Sequence, residues 1–304
     1  MTPARSAVLL LAHGSPDSPE HVPEFLLQVT GGRPLAPQVV EEVKHRYSLI
    51  GRSPLTQLTL KQGALLAQQL GLPVYVGMRN WKPFIADAIG AMTADGIAQA
   101  VVICLAPQNS RTSVGLYRAA LTQGRELSFD TDFIESWHDH ALLVKAFAEK
   151  LRAGRKRACG EAGVNVPVIF TAHSVPQRTI TEGDPYEDQA KETARLVARE
   201  SALAAEEWKF AFQSQGMSGG AWLGPTVEAT IVEFKEKGHR GVFIQPIGFL
   251  CDHVEVLYDI DIGFRQFAGK EDMSLWRAES LNDSPLLISA LADIVKSRLG
   301  ARVA

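Results

Sequence analysis

Short apolar runs alternate with longer amphipathic segments along the whole chain. The runs are rich in β-branched and aromatic residues and end in turn residues, which is typical of buried strands. Strands are predicted at residues 7–12, 74–78, 100–105, 132–135, 167–171, 208–213, 241–244 and, late in the chain, within 276–283. The segments between them have helical spacing, most clearly at 55–70, 142–152, 184–199 and 285–299. This alternation predicts an α/β fold with parallel sheets and helices on both faces.

The two halves of this pattern resemble each other. The first strand ends in Ala12-His13-Gly-Ser-Pro16, and the strand that opens the second half ends in Ala172-His173-Ser-Val-Pro176. We therefore expect two similar doubly wound, Rossmann-like lobes facing a cleft, residues 1–155 and 156–304, joined near the charged stretch 152–163. The last helix is a candidate to pack back on the first lobe.

The stretch from residue 245 to 259 holds most of the candidate chemistry. A strand precedes it, and a helical pattern begins near Asp252, with Glu255 three residues later as in a capping box. A strand, a turn and a capped helix would explain this pattern structurally. In the functional interpretation, Asp252, Glu255 and Asp259 lie beyond the carboxyl end of a strand, where open α/β sheets bind ligands.

Composition and motifs exclude several classes of function. The chain of 304 residues has a net charge of −3 and no long basic run, which argues against nucleic acid as the main partner. Its three cysteines are far apart, so a disulfide framework or a cysteine-ligated metal site is not expected. The apolar segment 7–12 is too short for a signal sequence or a transmembrane segment, so we expect a cytoplasmic location. No phosphate-binding glycine loop or nucleophile elbow follows a strand.

Two of the eight histidines, His13 and His173, occupy matching positions after a strand. A single histidine there is more often a turn residue, but two of them together with the carboxylates of 252–259 favour a site for Fe(II), Co(II) or Zn(II). An imidazole also accepts protons near neutral pH. Arg33, Arg46 and Arg52 are either solvated surface charges or ligands for a polyanion.

Short motifs along nearly the whole chain resemble those of the ferrochelatases. They include Ser53-Pro-Leu, Trp81-Lys-Pro-Phe84, Ala172–Pro176, Trp222–Pro225 and Asp252-His-Val-Glu-Val-Leu-Tyr-Asp259. The resemblance implies the chelatase fold, with two lobes gripping a tetrapyrrole, and an enzyme that inserts Fe(II) while two pyrrole protons leave. It implies no tightly bound cofactor, because Fe(II) and the porphyrin are substrates. Transient contact with the next enzyme of the haem pathway is the expected macromolecular interaction.

The same resemblance suggests roles for individual residues. His173 matches the family histidine implicated in iron binding and proton abstraction, and Glu255 matches its partner across the macrocycle. Asp259 would extend an acidic row that delivers metal or removes protons.

The segment 31–54 is short and polar, similar to the Gram-positive-type enzymes that act on coproporphyrin III. By position, Arg46, Tyr47, Ser53 and Tyr117 match substrate-contacting residues of that type. His13 replaces a tyrosine that serves there as an axial ligand to the product iron, and Thr30 replaces an arginine. A protoporphyrin IX ferrochelatase and a non-catalytic tetrapyrrole or metal carrier are the alternatives.

Overall fold

The computed structural model describes residues 5–124, 126–215 and 220–300. Within them the chain forms two four-stranded sheets, and every strand pair is parallel. The first sheet has the order β2-β1-β3-β4 and contains β1 (Ser6–Ala12), β2 (Val74–Met78), β3 (Gln99–Cys104) and β4 (Asp130–Ile134). The second has the order β6-β5-β7-β8 and contains β5 (Val168–His173), β6 (Trp208–Gln213), β7 (Gly241–Pro246) and β8 (Ser274–Arg277). The two orders are identical, so the predicted α/β repeat is confirmed.

Helices connect the strands, as the amphipathic segments predict. In the first half they are α1 (Val22–Val29), α2 (Pro37–Ile50), α3 (Leu55–Leu70), α4 (Ile85–Ala94), α5 (Val114–Thr122) and α6 (Ala141–Ala162). In the second half they are α7 (Gln177–Thr181), α8 (Tyr186–Glu200), α9 (Val227–Glu236), α10 (Val254–Leu257), α11 (Arg265–Lys270) and α12 (Pro285–Gly300). A π-helical turn, Asp259–Phe264, separates α10 from α11. None of the helices in the described part is long and apolar enough to cross a membrane.

The first compact unit comprises residues up to 107, residues 111–137 and the chain from 282 onward. Strand β1 is buried along almost its whole length because β2 and β3 cover both of its edges and helices cover its faces. Leu9 and Leu11 pack in one cluster with side chains of β3, α4 and α5. Helix α12 belongs to this unit and packs on α3 and β3.

The second unit comprises residues 108–110 and 138–281. All of α6 therefore lies in it, and the predicted lobe boundary after residue 155 falls inside a helix. The charged stretch predicted as a junction is helical up to Ala162 and ends at Gly163, whose φ is 69°. Leu151, Gly154 and Ala158 are buried at helical spacing, so the charges in between cover only the exposed face. Because only a narrow stripe of this segment is apolar, its helical period is hard to recognise in the sequence.

A further detail differs from the prediction. Helix α7 follows Pro176 directly, in a segment for which no helix is predicted. Residues 216–219 of the predicted Gly-rich loop 214–224 lie outside the described residues.

The packing of α6 against β7 can be tested at two glycines of the same helix. A Cβ at Gly154 would lie 2.6 Å from Cζ of Phe243, which is fully buried, whereas a Cβ at Gly160 would meet nothing within 4 Å. Gly154→Ala should lower the free energy of unfolding by about 1–2 kcal/mol, because overpacking exceeds the gain in helix propensity. Gly160→Ala should raise it by up to about 1 kcal/mol. Chemical denaturation measures both, and equal stabilisation by the two variants would contradict this packing.

Candidate active site

The candidate site of the second unit lies where the strand order of its sheet reverses. Strand β5 leads to β6 on one side, whereas the next strand, β7, lies on the other side and leads to β8. Such a switch point leaves a crevice beyond the carboxyl ends of the two central strands. His173 is the last residue of β5, and Glu255 lies in the segment that follows β7. The structure brings these two residues together.

The backbone fixes the orientation of the His173 ring. Its Nδ1 lies 2.5 Å from the carbonyl oxygen of Ser174, and because a carbonyl only accepts, Nδ1 carries the proton. In the neutral ring, Nε2 then presents its lone pair. This lone pair faces Oε1 of Glu255 at 3.5 Å, and both side chains are 35% exposed. An acceptor nitrogen and a carboxylate this close form a donor pair of the kind that binds a divalent cation.

His253 has the same arrangement and is absent from the sequence prediction. Its Nδ1 lies 3.0 Å from the carbonyl oxygen of Cys251, and its Nε2 lies 3.4 Å from Oε2 of Glu255. The two imidazoles therefore flank one carboxylate. His253 is the N-cap of α10 and has an extended backbone (φ −161°, ψ −175°), which lets it reach a residue only two positions later. Two residues apart within a helix do not face each other, so helical spacing hides this pair.

Neighbouring strand ends hold the Glu255 segment in place. Gln213 lies opposite His173 in the β5–β6 register, and its side-chain amide donates to the backbone carbonyl of Glu255 at 3.0 Å. The hydroxyl of Ser214 donates to the carboxylate of Asp259, the first residue of the π-helical turn. Asp259 therefore lies one turn beyond Glu255, bound to the segment that follows β6.

Tyr186 supports the strand that carries His173. The hydroxyl of Tyr186 donates to the backbone carbonyl of His173 at 2.9 Å. Burial, together with the nearby charge of Glu255, raises the pKa of the Tyr186 hydroxyl far above its ordinary value. The hydroxyl therefore stays a neutral donor throughout the physiological range.

The predicted capping box at Asp252 is wrong. The N-cap of α10 is His253, without a side-chain capping bond, and Asp252 instead accepts a hydrogen bond from Ser280 at 2.7 Å. Arg277 lies 3.3 Å from Asp252 and binds both carboxylate oxygens of Asp261 at 2.8 Å. Burial disfavours the charge of Arg277, but Asp261 and Asp252 raise its pKa above the ordinary value. The Asp252 carboxylate therefore pairs with Arg277 and does not cap α10.

In the first unit, His13 occupies the position equivalent to His173. It follows β1, the central strand from which the order of that sheet reverses, and its Nδ1 lies 3.0 Å from the carbonyl oxygen of Gly14. Its Nε2 therefore also presents a lone pair in the neutral ring. The ring is exposed and packs edge-on against Phe25, with 5.8 Å between centroids.

The other predicted substrate residues are all in the first unit. The hydroxyl of Tyr47 lies 3.1 Å from that of Ser15, two residues beyond His13, and both residues are buried. Ser53 and Tyr117 are also buried. Arg46 is a partly exposed residue of α2, and its Nε lies 3.0 Å from Glu42.

The Arg277 network predicts a specific loss when its cation is removed. Arg277→Met would remove the cation that the partly buried carboxylates of Asp252 and Asp261 face, so the free energy of unfolding should fall by about 3 kcal/mol. Arg195→Met removes an arginine that pairs with Glu192 on the exposed side of α8, and should leave the unfolding midpoint unchanged. Urea denaturation of both variants measures the difference. Equal midpoints would show that the network does not stabilise the Glu255 segment.

Comparisons with known proteins cover almost the whole chain. The family model described as Ferrochelatase matches residues 5–299. A ferrochelatase from Acidobacterium capsulatum is 55% identical over 97% of this chain and 95% of its own length. The coproporphyrin III ferrochelatase from Bacillus subtilis is 33% identical over 99% of this chain and 100% of its own. Among solved structures, SirB from Bacillus subtilis with Fe3+ shares the fold, with a TM-score of 0.59 at 13% identity over 96% of this chain and 95% of that chain. The chain belongs to the ferrochelatase family of metal chelatases.

Proposed function

We propose that the protein inserts Fe(II) into coproporphyrin III, giving iron coproporphyrin and two protons, as a step of haem biosynthesis. The observation that carries this proposal is the lone pair of His173 Nε2, which faces the Glu255 carboxylate at 3.5 Å. Such a pair attracts protons and divalent cations alike, and insertion exchanges one for the other.

The charge balance of insertion fits these residues. Fe(II) brings two positive charges into the macrocycle and two pyrrole protons leave it, so the site must hold or pass on two protons per turnover. His173 accepts a proton at Nε2 and Glu255 compensates the charge that forms. His253, on the other side of the same carboxylate, provides a second imidazole. Asp259, one turn further along, continues the acidic path away from the reacting nitrogens.

His13 suits the role of an axial ligand to the iron of the product. Its protonated Nδ1 is held by the Gly14 carbonyl, and its Nε2 lies on an exposed ring. A neutral imidazole is a good donor to ferrous iron. Replacing His13 should therefore alter the absorption spectrum of bound product more than the rate of insertion.

The choice of coproporphyrin III rests on the polar residues of the first unit. Tyr47, Ser53 and Tyr117 are buried polar residues there, and within the described part of the chain the Ser53 hydroxyl has no hydrogen-bond partner. A buried hydroxyl of this kind is stabilised when a ligand supplies an acceptor. Coproporphyrin carries four propionates against the two of protoporphyrin, so more of its edge can use such donors, with Arg46 at the surface. The Bacillus subtilis relative, 33% identical, bears the name of this activity.

The substrate is tested by anaerobic Fe(II) insertion into coproporphyrin III and protoporphyrin IX, followed through the Soret band. We expect turnover of coproporphyrin III at a kcat/KM at least about 10-fold higher than for protoporphyrin IX, one charge-assisted hydrogen bond being sufficient for that ratio. Preference for protoporphyrin IX would contradict the substrate assignment. Binding of both without turnover would show a carrier instead of an enzyme.

The roles of His173 and Glu255 are tested with His173→Ala and Glu255→Gln. Each should lower kcat for iron insertion by at least about 100-fold, the contribution of a general base, while the Kd of metal-free porphyrin stays within about threefold. His239→Ala is the control. This histidine lies just before β7, at the end of that strand opposite to the Glu255 segment, and packs against Phe234. Wild-type turnover by either site variant would remove that residue from the reaction.

A further inference from the structure

A charged side chain, that of Arg79, lies near the switch point of the first sheet. Arg79 directly follows β2, and its backbone N–H donates to the carbonyl of Ala12 at 2.9 Å. The next residue, Asn80, donates its backbone N–H to the carbonyl of His13 at 3.0 Å. The segment after β2 is thereby held alongside the His13 loop.

The Arg79 side chain lies near an aromatic ring of the helix that follows β3. The central carbon of its guanidinium lies 6.0 Å from the ring centroid of Tyr117. Tyr117 is on α5, which follows β3, and β1 lies between β2 and β3 in the sheet. Arg79 and Tyr117 therefore approach each other from the segments that follow the two neighbours of β1.

This guanidinium has no anionic partner among residues 5–124, 126–215 and 220–300. The side chain is partly buried, and burial lowers the pKa of Arg79, with only Tyr117 opposing that shift. The first turn of α5 carries no acidic residue and its N-cap makes no side-chain capping bond. A helix start and an arginine together produce a positive potential here. In the second unit, by contrast, Arg277 is neutralised by Asp252 and Asp261.

A neighbouring side chain also lacks partners. Asn80 is 1% exposed, and neither its amide nitrogen nor its amide oxygen has a hydrogen-bond partner among the residues that the structure describes. Buried amides are nearly always hydrogen-bonded, because leaving them unpaired costs the lost solvation. A desolvated cation and an unpaired amide in adjacent residues point to a ligand that is both anionic and a hydrogen-bond acceptor.

We propose that Arg79 binds a carboxylate of the tetrapyrrole, an inference that rests on the proposed function. The planar guanidinium matches one carboxylate through two parallel hydrogen bonds. Phosphate is disfavoured because no glycine-rich phosphate loop follows any of the strands around it. The two equivalent switch points then have opposite specificity. The one with Glu255 attracts protons and metal cations, and the one with Arg79 attracts the acidic side chains of the macrocycle.

The test compares a free acid with its ester. The Kd values of metal-free coproporphyrin III and of its tetramethyl ester, in the same mild detergent, are measured by fluorescence for wild type, Arg79→Met and Arg79→Lys. Arg79→Met should weaken binding of the free acid by about 10- to 100-fold and leave binding of the ester unchanged. Arg79→Lys, which keeps the charge but loses the fork, should fall between the two.

Arg118→Met is the matched control. Arg118 is the residue after Tyr117 on α5, but it is exposed and paired with Glu135 at 2.5 Å, so its loss should leave both Kd values unchanged. Equal weakening of acid and ester by Arg79→Met, or an unchanged Kd for the acid, would overturn the proposal. If Arg79→Met does not fold by circular dichroism, the same comparison with Arg79→Lys decides, since an unchanged acid-to-ester ratio overturns it.

The result separates this proposal from the proposed function. If wild type inserts iron, but Arg79→Met leaves the Kd of the free acid unchanged, the carboxylate site alone is refuted. If wild type inserts no iron, but Arg79→Met still weakens binding of the free acid, the chelatase reaction alone is refuted.

Discussion

The reversal of strand order in each sheet is the constraint on which the site depends. Parallel strands place all their carboxyl ends at one edge, and the connections diverge only between β1 and β3 and between β5 and β7. Backbone just beyond these ends is not covered by a crossover helix, so side chains there can meet a ligand. His13 lies at this end of β1 in the first sheet, and His173 lies at the same end of β5 in the second sheet. Neither position can move without shifting a strand that is buried on both sides.

The chemistry of each histidine follows from a backbone acceptor. In both units the ring donates Nδ1–H to the carbonyl of the next residue, so Nε2 is left as the basic atom. In the second unit this atom meets Glu255, whose own segment is fixed by Gln213 and, through Asp252, by Arg277. Hydrogen bonds from Gln213 and Ser214, at the end of β6, therefore hold the Glu255 segment beside His173.

Much of the fold could be predicted because strand and helix periods are local properties of the chain. The helix at 55–70 and the strand at 208–213 have the bounds that the pattern predicts. Residues 152–162 belong to helix α6 and are not a junction, because the charged residues there cover only its exposed face. Asp252 has the local signature of a cap, but Arg277, distant in sequence, takes its carboxylate.

The candidate site was predictable to a lesser extent. His173 and Glu255 stand out because each follows a strand, and the structure brings them together. His253 could not be found by spacing, since its contact with Glu255 depends on an extended residue at the helix start. Arg79 belongs to no motif, and what distinguishes it is the lack of an anionic partner among the described residues of the folded chain. The roles of His13, Arg46, Tyr47, Ser53, Tyr117 and Asp259 in substrate handling stay predictions.

We expect the imidazole–carboxylate pair at the end of β5 to receive the iron. The most direct measurement is an anomalous difference map, recorded at the iron edge, of crystals soaked anaerobically with Fe(II). We predict a peak within coordination distance of both His173 Nε2 and the Glu255 carboxylate, lost in His173→Ala crystals. An iron peak elsewhere, with none at this pair, would contradict the account.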